Sequence, residues 1–115
     1  MKMIQVTIST KHFEEEIDFY GRYLGITIQR DIRPLGRDIV FLGDPDAQTL
    51  VEVIRTDAQE SGGQNISIGF HVPDIDSLRD TLVRDGLDPT PFISPQPGVR
   101  FFYVKDPAGV SVQFI

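Results

Sequence analysis

Glu52 is the only carboxylate centred on an apolar strand, within the stretch TLVEVIR at residues 49–55. Leu50 and Ile54 flank it on its own face, and an enclosed acid must be hydrogen-bonded or protonated. Two roles are open to it. With a raised pKa it could act as a general base. Alternatively, it could accept hydrogen bonds from the amide of Gln5 or Gln113. His71 is the second acid–base candidate, because imidazole titrates near neutrality. It equally suits a rim position beside an acid. His71 lies about 13 Å along an extended strand from Ser67, at ~3.3 Å per residue, so the two cannot substitute for one another. His12 falls at the start of a helical pattern and reads as a structural residue.

The strands that must carry these groups show which neighbours they have. In MIQVTIS, Val6 and Ile8 share one face while Gln5, Thr7 and Ser9 share the other. In NISIGFHV, Ile66, Ile68, Phe70 and Val72 oppose Ser67, Gly69 and His71. In the stretch around Glu52, Val51 and Val53 oppose Leu50, Glu52 and Ile54. At the C-terminal end Val110, Val112 and Phe114 oppose Ser111, Gln113 and Ile115. The apolar faces suit packing against helices. The other faces are small, polar and sparsely charged, unlike a Lys/Glu-rich solvent face. Gln5, Thr7, Ser9, Glu52, Ser67, His71, Ser111 and Gln113 are therefore the expected pocket residues. On a curved sheet with helices on its convex side, they would line a concavity.

Two helical patterns separate the strands. In KHFEEEIDFYGRYLG the spacing of Phe13, Ile17, Tyr20 and Leu24 predicts one apolar stripe, ended by Gly25. In DIDSLRDTLVRDG the stripe is Ile75, Leu78 and Leu82, with Asp74 as N-cap and Gly86 at the end. Further strands are expected in ITIQRDI, RDIVFL, TPFI and VRFFYV, and a turn at Pro34-Leu35-Gly36. The phrases FLGDPDAQTLVEVI (41–54) and YVKDPAGVSVQFI (103–115) echo one another. Gly25 and Gly86 are 61 positions apart, Asp44 and Asp106 are 62, and Glu52 and Gln113 are 61. A near-constant offset across turns and strands indicates a duplicated βαβββ unit. The expected organisation is an α+β fold in one domain, with modules at 1–55 and 66–115 and a polar linker at 56–65.

Composition narrows the function classes. The 115-residue chain has no cysteine, which excludes disulfides and thiolate metal sites and suits the cytoplasm. Its net charge of −6 offers no basic footprint for nucleic acid or anionic lipid. No apolar run approaches the length of a membrane span. A small molecule or another protein is the expected partner.

FYGRYLGI, IGFHVPDID and VKDPAGVSVQFI together resemble the vicinal oxygen chelate superfamily, which includes glyoxalase I, extradiol dioxygenases and bleomycin-resistance proteins. The resemblance covers the whole chain and implies paired βαβββ modules forming a cup-shaped sheet. It also implies a divalent metal at the cup floor, held from the first, fourth, fifth and eighth strands. Those places fall on Gln5, Glu52, Ser67 and Gln113, with Ser67 where His is usual and Gln113 where Glu is usual. One carboxylate, two amides and a hydroxyl are weak donors for a first-row dication. No metal and no other cofactor is therefore expected. Members of the superfamily commonly form homodimers, and a homodimer is expected here.

Three functions remain open at this point. The chain could be a metal-free small-molecule-binding protein of the bleomycin-resistance type. It could be a metal-dependent glyoxalase-like lyase, isomerase or dioxygenase. It could be a metal-free enzyme using Glu52 or His71 as its acid–base group. Whether it is an enzyme is thus undecided by sequence. Arg30, Arg33, Arg37 and Arg100 could meet an anionic ligand, though a solvated surface is the simpler place for them. The proline-bounded stretch SPQPG (94–98) is expected as a loop on the pocket rim. Of Phe101, Phe102 and Tyr103, alternation must send some to the core and some to the pocket.

Overall fold

Strand alternation and helix punctuation act locally, and each half of the chain organises its own sheet. The computed structural model describes residues 3–58 and 66–115 and divides into two compact units, Met1–Ser61 and Gly62–Ile115. Most of the expected linker, residues 59–65, lies outside the described residues. The first unit runs β1 (Gln5–Thr10), α1 (Phe13–Leu24), β2 (Thr27–Asp31), β3 (Ile39–Gly43) and β4 (Leu50–Arg55). Its sheet has the order β1-β4-β3-β2, with β1 parallel to β4 and the remaining pairs antiparallel. The second unit runs β5 (Ser67–Phe70), α2 (Ile75–Arg84), β6 (Ile93–Gln96), β7 (Val99–Lys105) and β8 (Ser111–Phe114). It repeats the plan as β5-β8-β7-β6, with β5 parallel to β8. The α+β fold of two βαβββ modules is as expected, and the duplication extends to register: Thr7 faces Glu52 as Gly69 faces Gln113.

The apolar faces form the cores. Ile8, Val51, Val53, Val40 and Leu42 are buried in the first unit; Phe102, Val104, Val112 and Phe114 are buried in the second. Each such side chain contributes roughly 1.5–3 kcal/mol by leaving water. Phe102 settles one question left open by alternation. It is fully buried, with its ring centroid 5.3 Å from Phe114 and 5.7 Å from Phe92, whereas Phe101 and Tyr103 are half-buried on the other face.

Helix α1 follows His12 at its N-cap position, carries Glu14, Glu15 and Glu16 in its first turn, and ends where Gly25 adopts φ 69°. The acidic first turn opposes the positive end of the helix dipole. Gly25 takes the left-handed conformation that a side chain would resist, and Gly86 takes it after α2. Asp74 caps α2 by accepting from the Ser77 amide at 3.0 Å. The α1 stripe needs correction. Phe13, Glu16, Phe19 and Tyr20 are buried, while Ile17 and Leu24 are only half-buried. Glu16 follows Phe13 by three residues and precedes Tyr20 by four, so it shares their side of the helix. α1 packs against β4 and β2.

A second correction concerns SPQPG. Ser94–Gln96 belong to β6, and only Pro97-Gly98 form the connection to β7. The Ser94 hydroxyl donates to the Val99 carbonyl at 2.8 Å, tying the hairpin. Pro95 is tolerated because β6 is the last strand of its sheet and needs no further donor there. TPFI is correspondingly displaced as a strand: of its residues only Ile93 is in β6.

The repeated Asp-Pro phrase also has a physical cause. Asp106 is buried, its carboxylate accepts from the Val110 amide at 2.8 Å, and its carbonyl accepts from the Gly109 amide at 2.9 Å. One residue thus fixes the turn that launches β8. In the first copy the Asp44 carbonyl accepts from the Ala47 amide at 2.9 Å, in a more exposed turn.

Candidate functional site

Parallel pairing of β1 with β4 places Thr7 directly beside Glu52, and alternation puts Gln5 on the same face two residues away. The Thr7 hydroxyl donates to Glu52 Oε1 at 2.7 Å, and the Gln5 amide nitrogen donates to the same oxygen at 3.0 Å. Thr7 and Gln5 lie 3.5 Å apart through those polar atoms. Gln5, one of the two amides anticipated as a donor to Glu52, makes that hydrogen bond, and Thr7 adds a second. Glu52 is half-buried, and Gln5 and Thr7 are exposed beside it. Ser9 lies exposed farther along β1, opposite Ile54.

The equivalent face of the second unit is built differently. Gln113 stands where Glu52 stands in the first unit, but its neighbour across the ladder is Gly69, which has no side chain to donate. A Cβ at Gly69 would lie 3.0 Å from Gln113 Oε1, so the glycine leaves room for that amide. Ser67 is exposed and pairs in register with half-buried Ser111. His71 is exposed, lies just beyond the end of β5, and has no hydrogen-bond partner among the described residues.

A pocket of about 540 Å³ opens on this second unit, lined by Ser67, Ser111, Tyr103, Lys105, Thr90 and Asp88, with Ile66 and Val104. Register explains the gathering. Tyr103 lies opposite Gln113 and Lys105 opposite Ser111 on the antiparallel β7–β8 pair, so all four share the face that carries Ser67. Thr90 is fastened to β7 twice: its amide donates to the Tyr103 carbonyl at 2.8 Å, and its hydroxyl accepts from the Tyr103 amide at 3.0 Å. Tyr103 packs edge-on to Phe101 with ring centroids 5.7 Å apart. The Lys105 ammonium donates to Ser111 Oγ at 2.8 Å.

Sequence reasoning therefore found Ser67 and Ser111 but passed over Lys105, Asp88 and Thr90. For Lys105 the signal existed, since YVKDPAG places it in step with Tyr103 on an alternating strand. For Asp88 and Thr90 there was none, because they reach the pocket from the irregular segment after α2.

The arginines are largely committed elsewhere. Arg33 pairs with Asp31 at 2.6 Å, and Arg100 pairs with Asp76 at 2.7 Å while lying over the Phe92 ring. Arg55 joins Glu14 and Asp38 and covers Phe13, and those two carboxylates hold its guanidinium well above the ordinary arginine value. Hydrogen bonds from these arginines hold Asp31, Asp76 and Glu14 below the usual carboxylate range. Arg30 lies over the Phe41 ring. His12 sits at the N-terminus of α1 with its Nδ1 3.2 Å from Glu15, the structural place expected for it.

Among the described residues no helix is long and apolar enough to cross a membrane. Comparison with curated proteins returns no match. Among solved structures, the chain is similar to the trypanothione-dependent glyoxalase I of Leishmania major, with TM-score 0.76 and 19% identity over 100% of this chain and 86% of that one. It is similar to a glyoxalase family protein from Enterococcus faecalis, with TM-score 0.74 and 18% identity over 98% and 95% of the two chains. An antibiotic-binding protein from Streptomyces sp. CB03234 is similar at TM-score 0.75 and 17% identity, over 99% and 93%. Such identities establish the fold alone. The family itself rests on the sequence: residues 2–114 match the model of one family over nearly the whole chain, and the protein belongs to the Glyoxalase/Bleomycin resistance protein/Dioxygenase superfamily.

Proposed function

We propose that this member of the superfamily is a binding protein for a small organic molecule and carries no tight metal site. The observation that carries the reading is the state of Glu52. Its Oε1 already accepts from both Thr7 and Gln5, and Gln5 presents its donor nitrogen rather than a lone pair. A divalent cation needs converging lone pairs, from imidazole nitrogen or anionic oxygen above all. The donors at the superfamily's metal-holding places are one carboxylate, the two amides of Gln5 and Gln113, and the Ser67 hydroxyl. That set does not fit a tight site. The pocket beside Ser67 and Ser111 has the size and mixed lining of a small-molecule site. The antibiotic-binding protein with the same fold supports the binding class by analogy.

The test is thermal unfolding with Ni²⁺, Zn²⁺, Co²⁺, Fe²⁺ or Mn²⁺ added in turn. A melting temperature that stays within a degree of the metal-free value is expected. A rise of several degrees that disappears in Glu52→Gln would overturn the reading in favour of a metal-dependent enzyme, since a ligand bound to the native state alone raises stability. A cytoplasmic homodimer is part of the same proposal. Ile4 and Ile66 precede the edge strands β1 and β5 at equivalent places, 60% and 65% exposed, and suit burial against a second copy. Light scattering at micromolar concentration should give twice the mass of the 12.9 kDa chain.

A further inference from the structure

The cations of this protein are not treated alike. Arg33, Arg55 and Arg100 each pair with carboxylates, as a chain with 17 acidic and 11 basic residues readily allows. Lys105 is the exception on the pocket wall. It is exposed, and its ammonium meets only the Ser111 hydroxyl among the described residues. Asp88 lines the same pocket and pairs neither with Lys105 nor with any other described residue. Lys105 thus lies against a neutral hydroxyl on the pocket wall, with no carboxylate paired to it among the described residues.

The hydroxyls around it add donors. Ser111 Oγ accepts from Lys105, which leaves its own O–H free to donate, and Ser67 lies beside it in register. Tyr103 and Ile66 supply apolar surface next to these groups. An oxyanion is the chemical group that an ammonium and neighbouring hydroxyls bind best, because hydrogen bonds to a charged acceptor are about twice as strong as neutral ones. Asp88 would repel the same oxyanion and accept instead from an N–H or O–H farther along the ligand.

We infer that the second module's pocket takes an organic oxyanion, a carboxylate or phosphate on an apolar body, with its charged end at Lys105 and a hydrogen-bond donor directed to Asp88. This deepens the proposed small-molecule reading and rests on it. It also identifies Lys105 as the residue that selects the ligand's charge.

The test uses the full chain, 15N-labelled, titrated with 4-hydroxybenzoate, its neutral counterpart 4-hydroxybenzamide, unsubstituted benzoate, and phenyl phosphate. The oxyanions are expected to shift the backbone signals of Ser67, Tyr103, Lys105 and Ser111. They should bind ~10- to 100-fold more tightly than the amide, the difference that a charged hydrogen bond makes. Lys105→Gln should abolish that preference, with a thermal melt close to the parent because the side chain is exposed. Asp88→Ala, which removes the acceptor, should remove the advantage of 4-hydroxybenzoate over benzoate. The tighter of benzoate and phenyl phosphate names the oxyanion. Equal binding of the neutral amide would overturn the inference while leaving the small-molecule reading intact. So would a charge preference that survives Lys105→Gln. Absence of any shift in the pocket would also overturn it, and the metal titration would still decide the other reading separately.

Discussion

Thr7→Val and Glu52→Leu, made singly and together, measure whether the acid of the first module is held as a hydrogen-bond acceptor. The Thr7 Oγ1 to Glu52 Oε1 distance of 2.7 Å is short, as expected when the acceptor is charged. Such a bond contributes about 1.5–3 kcal/mol where both partners are enclosed. Thr7 is exposed and Glu52 half-buried, so water competes and the pairwise coupling should fall to about 1 kcal/mol. The single variants do not report this value. Valine gains strand propensity at position 7, and leucine relieves a half-buried charge at position 52. The double-mutant cycle cancels both effects, provided each replacement introduces no new contact. Urea unfolding followed by far-UV circular dichroism supplies the four stabilities, with a shared slope confirming that the unfolded states are alike. A coupling below about 0.3 kcal/mol, the level of unrelated sites, would refute the arrangement. It would leave Glu52 free for another partner, including a metal.

Phe102→Ala should cost about 3–5 kcal/mol, because a fully buried ring is lost from between Phe92 and Phe114. Calorimetry should show a melting temperature lower by roughly 12–20 °C for a domain of this size, and a drop under 5 °C would count against the packing. Gly25→Ala should destabilise by about 1 kcal/mol in denaturant unfolding, since alanine resists the φ of 69° at the end of α1. Asp76→Asn tests the pH dependence. Arg100 lowers the carboxylate's folded pKa, so its contribution is complete above the unfolded range near pH ~4 and fades as pH falls through the lower folded value. The difference in melting temperature between parent and variant should therefore be small but present at pH 7 and shrink as the pH falls below the unfolded range. A difference that grows in acid would contradict the sign.

The sequence by itself determined what depends on local periodicity and on repetition. Alternation assigned Val51, Val53, Val112 and Phe114 to the core, and the positions of Glu52 and Gln113 within equivalent strands followed from the repeat. Asp74 and Gly25 announced the helix ends because capping depends on only a few neighbouring residues. Even the α1 stripe was half-legible: Phe13 and Tyr20 were found, but an apolar template cannot register a buried Glu16. Strand register was beyond it, since which residues stand side by side depends on pairing between distant segments. Only the fold brought Thr7 to Glu52, separated by 45 positions, as a second donor to the same oxygen as Gln5. Only the fold set Lys105 across from Ser111 and carried Asp88 and Thr90 to the same pocket. The acids of the chain outnumber its bases, so charge counting offered no basic footprint, and the cations that the sequence offers to an anionic ligand are Arg30, Arg33, Arg37 and Arg100. Lys105, which meets only the Ser111 hydroxyl among the described residues, joined the pocket only once strand pairing was set, and electrostatic recognition at contact distance is set by the nearest charges.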